Sequence, residues 1–167
     1  IQVHTGMMLP GAYDSSADIA YLNPQFDQDS FRHELAHALI WRNAGDVPYW
    51  YQEGAAYFLQ SAGEARCGGT VMLSKKMAER ALGRIQSKQD ALPWDAVDLG
   101  DRSSALDTAA LSAAFFLFVW SKRELEGFLK MPPPMKGPPP WLNDHADFEK
   151  SFRAFLESGL SQPVPGC

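Results

Sequence analysis

The segment "AALSAAFFLFVW", residues 109–120, carries no charge and brings together three phenylalanines and a tryptophan. Such a stretch is either part of a membrane span or the centre of a core, and the rest of the chain has to be arranged around it. A span needs roughly 18 or more apolar residues. This run has the length of a buried helix, so no membrane span is expected, and "FFLFVW" (115–120) is read as packed on all sides. With 167 residues, 46% of them hydrophobic and 21% charged, the chain has material for one such core. No internal repeat and no second core beyond a linker is found, so residues 1–167 are read as a single domain.

The formal net charge is -5, and the longest basic run is the pair Lys75 and Lys76. That excludes an extended polyanion-binding surface, and nucleic acid is set aside as a partner. Two cysteines, Cys67 and Cys167, match no metal or redox spacing and are available for one bridge in an oxidising compartment. The first residue is Ile1, so a processed or trimmed chain is expected, with any targeting signal out of view. The compartment stays open, with a secreted, periplasmic or cell-envelope setting slightly favoured over the cytoplasm.

Along the chain, "ADIAYLN" (17–23) alternates between a Ser-rich turn and Asn23-Pro24 and reads as an edge strand. "IQVHTGMML" (1–9) reads as a second strand bent at Gly6, the two forming a small hairpin or sheet. From about Asp29 the period becomes 3.6, with Asp27, Asp29 or Ser30 as cap and "NAG" (43–45) as stop. A second helix is expected from about Asp46-Val47-Pro48, with Asp as cap and Pro in the first turn, to Gly63, and others at about 74–88, 104–130 and 145–158. "MPPPMKGPPP" (131–140) cannot be helical, because proline lacks the donor and restricts its predecessor. It is read as a rigid loop bordering a cleft, or else a polyproline ligand for an aromatic groove. The fold class expected is α+β, mostly α, with a small N-terminal sheet or hairpin followed by helices.

The first helix contains "FRHELAHALIW" (31–41). At about 100° per residue, His33 and His37 lie about 40° apart, so both imidazoles reach one point outside the helix. Phe31, Leu35, Ala38 and Leu39 form a stripe on roughly the opposite side, expected to face the core while the histidines look away from it. Zinc accepts nitrogen and oxygen donors in a tetrahedron, and two histidines on successive turns supply two of them. Glu34 projects beside that point, where it can take a proton from a metal-bound water. The H-E-x-x-H pattern alone does not make a site, since helical histidines are often simply hydrogen-bonded. A third donor is available in "VPYWYQEGAAYF" (47–58), where Glu53 follows His37 by 16 positions with a turn between them. Three protein donors and one open position is the stoichiometry of a catalytic zinc site.

"HELAH" followed by "WYQEGAAYF" resembles the gluzincin metallopeptidases of the peptidase MA-like superfamily. There, H-E-x-x-H on one helix is followed by a glutamate ligand on the next, within a motif close to W-x-N-E-G-x-A-x-[YF]. The matching positions are Trp50, Glu53, Gly54, Ala56 and Phe58, and the likeness covers about residues 17–60. The resemblance implies a zincin-like fold, Zn2+ held by His33, His37 and Glu53, and Glu34 as general base and acid. It also implies a peptide or protein substrate. Hydroxide formed at the metal would attack a polarised carbonyl, and Glu34 would deliver the proton to the leaving amine.

The chain departs from the pattern at three points. Gln52 stands where many relatives have Asn, and Tyr57 where they often carry an acidic residue. The helix "SALDTAALSAAFFLFVW" holds neither the Tyr nor the His that relatives use to stabilise an oxyanion. Tyr57, Tyr49, Tyr51 and His145 are the candidates for that donor. Two rivals follow: a catalytically inactive metal-binding or interaction domain on the same scaffold, and a helical domain whose H-E-x-x-H is coincidental.

Overall fold

The computed structural model describes residues 2–5, 11–14, 16–17, 19–22, 28–62, 70–86, 92–93, 102–122, 125–130, 145–158 and 161–163. Numbered in chain order, its elements are β1 (Gln2–Thr5), β2 (Gly11–Asp14), β3 (Ile19–Leu22), α1 (Gln28–Ala44), α2 (Tyr49–Ala62), β4 (Thr70–Met72), α3 (Lys75–Gln86), α4 (Arg102–Ser121), α5 (Leu125–Lys130), α6 (His145–Glu157) and β5 (Ser161–Pro163). Helices dominate this α+β architecture.

The uncharged segment lies in α4, where every residue from Thr108 to Val119 is buried. Helices α2, α3, α5 and α6 all pack on it. Its phenylalanines meet their neighbours largely edge to face, the arrangement the aromatic quadrupole favours. Phe115 lies 5.8 Å from Trp50 and 5.9 Å from Phe152, and Phe116 lies 5.0 Å from Phe128, between ring centres.

The helix expected over 104–130 is divided. At its end the Ser121 hydroxyl donates to the Phe118 carbonyl (2.6 Å), and the Lys122 N–H is shared between the carbonyls of Phe118 and Val119. A hydroxyl competing for a main-chain carbonyl and a tightened last turn close the helix. The apolar residues after it form the separate α5.

The first three strands form a mixed sheet in the order β1-β3-β2, with β3 parallel to β1 and antiparallel to β2. Thus β3 is the central strand and not the expected edge. Its second neighbour, "GAYD", contains Gly and Asp, residues depleted in strands. The reversal is made by Asp14, whose Oδ1 accepts from the Ser16 hydroxyl (2.6 Å) and the N–H groups of Ser16 (2.9 Å) and Ala17 (3.3 Å). These bonds, led by the Ser16 hydroxyl, hold the Asp14 carboxyl below its ordinary value. A second sheet, β4 with β5, was not anticipated; each strand has three residues and β5 ends in a proline.

Helix α1 stops where expected. Gly45 has φ +70°, and its N–H returns to the Trp41 carbonyl at 2.9 Å, a left-handed cap that glycine adopts without strain. The buried face differs from the expected one. Glu34, Ala36, Ala38 and Ile40 are buried, whereas Phe31 and Leu39 are 38% and 48% exposed. Helix α1 is covered by α2 on one side and by β2 and β3 on another. The histidines therefore face a packed neighbour, and of the predicted apolar stripe Phe31 and Leu39 lie outward, Leu35 is half-buried and Ala38 is buried.

Helix α2 begins at Tyr49, after Asp46 and not at it. The Pro48 carbonyl accepts from the N–H groups of Tyr51 (2.9 Å) and Gln52 (3.1 Å), and the Gln52 amide donates to the Val47 carbonyl at 2.9 Å. The first turn is closed without an aspartate cap, which leaves Asp46 exposed between the helices.

Gly6, Cys67, Cys167, the side chain of His145 and the run 131–140 lie outside the described residues, and with them the possible disulfide and the proline-rich segment. Among the described residues, no helix is long and apolar enough to cross a membrane.

Candidate metal centre

Two stripes on α2 have different partners. Trp50, Gly54 and Phe58, spaced by four, face the core, while Tyr49, Glu53 and Tyr57, also spaced by four, occupy a neighbouring face. The second stripe meets α1. A β-carbon on Gly54 would lie 2.7 Å from Ser112 Cβ and 2.9 Å from its main-chain carbon. Glycine therefore lets α2 approach α4 closely, which fixes the height and rotation at which Glu53 is presented.

The packing brings together the three donors expected from the sequence. Nε2 of His33 and Nε2 of His37 are 3.1 Å apart. Glu53 Oε2 is 3.6 Å from the first, and Oε1 is 3.4 Å from the second. Bonds of about 2.0–2.2 Å to a tetrahedral zinc place its donors about 3.3–3.6 Å from one another. The separations are close to those edges, and the nitrogen and oxygen chemistry suits the ion. Among the described residues, this is the one cluster of three or more His, Cys, Asp or Glu with metal-binding spacing.

The surroundings set the protonation states. Burial lowers the His37 pKa, with Glu53 opposing and His33 adding to the effect, which favours the neutral imidazole that a metal requires. Glu34 is only 7% exposed, and burial raises its carboxyl above the ordinary value, with His33 opposing and Glu53 reinforcing. A carboxylate whose pKa is moved towards the working pH is better matched to proton transfer.

A cleft of about 540 Å³ opens over the donors, with Glu34 in its wall. Its other side is β2, which contributes Tyr13. No strand was expected from "GAYD", and Tyr13 was not among the residues singled out in the sequence. Among the described residues, Tyr13 is the only tyrosine that lines the cleft.

The other candidate donors fare differently. Tyr57 packs its ring 4.4 Å from that of His33 at 62°, and burial, Glu53 and Glu34 raise its phenol while Arg80 opposes. Arg80 is itself paired with Asp107 on α4, which anchors this corner. Burial, then Glu53 and Tyr57, push the phenol of Tyr49 up to about 12. Neither Tyr49 nor Tyr57 lines the cleft. Tyr51 is excluded: it is 2% exposed, packs between Phe116 and Phe128 in the core, and its phenol is pushed up to about 12 by burial alone.

One feature works against tight ligation. Metal on Nε2 requires the proton on Nδ1, yet His33 Nδ1 is buried with no hydrogen-bond partner among the described residues. Histidine ligands ordinarily donate that proton to a carboxylate or carbonyl. Here the Tyr57 ring orients the imidazole by packing alone.

No protein-family model, curated protein or solved structure matches the chain.

Proposed function

We propose that the chain is a zinc-dependent metallopeptidase of gluzincin type, with a zincin-like fold, in which His33, His37 and Glu53 hold the metal. The observation that carries this reading is the convergence of these side chains at the wall of a cleft: the two Nε2 atoms lie 3.1 Å apart, and each has a different Glu53 oxygen beside it, Oε2 at 3.6 Å from His33 and Oε1 at 3.4 Å from His37. A zinc ion held there supplies a water of near-neutral pKa and a Lewis acid for a carbonyl oxygen. Glu34, buried beside the donors, would act as the general base and acid there, its carboxylate holding a proton and delivering it to the leaving amine. Tyr13 offers a phenol to the carbonyl oxygen as charge develops on it.

The cleft also suits an extended peptide. In the order β1-β3-β2, β2 is an edge strand, and no described strand pairs with its outer side. An extended main chain can add to such an edge.

A second reading, a catalytically inactive gluzincin-fold domain that binds metal or a partner, is favoured by α4. Its segment Thr108–Val119 is wholly buried and supplies neither the Tyr nor the His of related sites. The experiment that separates the readings is incubation of zinc-loaded protein with a broad peptide library and detection of new termini by mass spectrometry. Termini produced by the wild type and lost in Glu34→Gln support the peptidase. Their absence from the wild type leaves the inactive domain.

A further inference from the structure

Among the described residues, three carboxylates line the cleft, Glu34, Asp46 and Glu53, and neither lysine nor arginine does. The proposed chemistry uses Glu34 and Glu53. Asp46 has no part in it. Asp46 does not cap α2 and is exposed, with no described cation or hydrogen-bond donor paired to it.

Trp41 lines the same cleft. His33, His37 and Trp41 are spaced by four, so the indole lies on the histidine face, one turn or about 6 Å beyond His37 along α1. It is 36% exposed, and no described ring or cation stacks on it. The Gly45 N–H bond to the Trp41 carbonyl closes the last turn of α1, and Asp46 follows that turn directly. A partly exposed indole and an exposed carboxylate thus line the same cleft as the donors.

We infer that Trp41 and Asp46 form a subsite for a cationic side chain, so that the substrate is a peptide with lysine or arginine beside the bond to be cut. The inference rests on the peptidase reading for the site's use. The stem of such a side chain, about as long as the helical turn it must span, covers the indole while its charged head reaches the carboxylate. The indole face attracts the cation electrostatically. An acidic side chain on the indole would instead be repelled by the Asp46 carboxylate.

The test is equilibrium binding, by isothermal titration calorimetry, to zinc-loaded Glu34→Gln protein, so that no cleavage is needed. Two capped peptides are compared, identical except for lysine or its uncharged isostere norleucine. The lysine peptide should bind about fivefold to tenfold more tightly, with an advantage that shrinks at high salt. The ratio should fall towards one when Asp46→Asn or Trp41→Ala is added to Glu34→Gln. Equal affinities, failure of both peptides to bind, or a lysine preference that survives Asp46→Asn would overturn the subsite. Lysine-dependent binding in a protein that cleaves no peptide would instead contradict the peptidase reading and leave the subsite standing.

Discussion

Gly54 on α2 faces Ser112 on α4 so closely that a β-carbon on the glycine would stand 2.7 Å from Ser112 Cβ. Glu53, the carboxylate donor, is the residue next to that glycine. The glycine is therefore a packing requirement that sets the position of the site, although it does not line the cleft over the donors.

Substituting Gly54→Ala should force α2 away from α4 and destabilise the fold by about 1–3 kcal/mol, even though alanine has the better helix propensity. Denaturant melts check this. Ser112→Gly in the same chain should restore part of the loss. An unchanged midpoint in Gly54→Ala would mean that the two helices are not held so closely.

Glu34→Gln should retain the metal and lose turnover by about 10²–10⁴-fold, the range ascribed to a positioned acid–base group. Metal content and peptide turnover, measured on the same preparation, check both halves. Because burial raises the Glu34 pKa, its charged form is disfavoured in the fold, and Glu34→Gln should also raise the melting temperature of metal-free protein at neutral pH.

Tyr57 holds His33 by ring packing, so its ring and its hydroxyl should separate. Tyr57→Phe should leave zinc affinity nearly unchanged, while Tyr57→Ala should weaken it by about 10–100-fold, as loss of a ligand's orienting partner does elsewhere. Competition with a chelator of known affinity gives both values. Equal losses in the two variants would assign the role to the hydroxyl.

The pH response of metal-free protein follows from His37. Its folded pKa is depressed below the ordinary 6.5 by burial, so the unfolded chain takes up the proton first as pH falls. The stability that the neutral imidazole contributes is fully present above 6.5 and is lost as pH falls from there through the depressed value. Melting temperatures in chelator between pH 7 and pH 5 should therefore decline more steeply for the wild type than for His37→Gln. Parallel profiles would contradict the burial of His37.

The helical periods, the stop at Gly45 and the three side chains that the fold brings together, His33, His37 and Glu53, were legible in the sequence, because helix spacing and residue chemistry are local properties. The buried face of α1 was not, since it is decided by two partners: α2 on one side and β2 with β3 on the other. Periodicity pointed to Phe31 and Leu39, and tertiary packing exposed both. Strand β2 was hidden by its Gly and Asp, and with it Tyr13. Asp46 read as a helix cap because of its residue type, but the Pro48 carbonyl and the Gln52 amide close that turn instead. Tyr51 and Tyr57 are both tyrosines of one helix, and only the position of α4 tells which is core and which meets His33.

The central claim is that His33, His37 and Glu53 together hold one zinc ion. It is tested most directly by the metal content of protein purified without added metal or chelator, measured by inductively coupled plasma mass spectrometry beside His33→Ala, His37→Ala and Glu53→Ala. The account predicts near one zinc per wild-type chain, lost in each variant, with a wild-type melting temperature that falls on chelation. Wild-type protein that holds no zinc even after zinc is supplied, or a Glu53→Ala variant that retains it in full, would contradict the account.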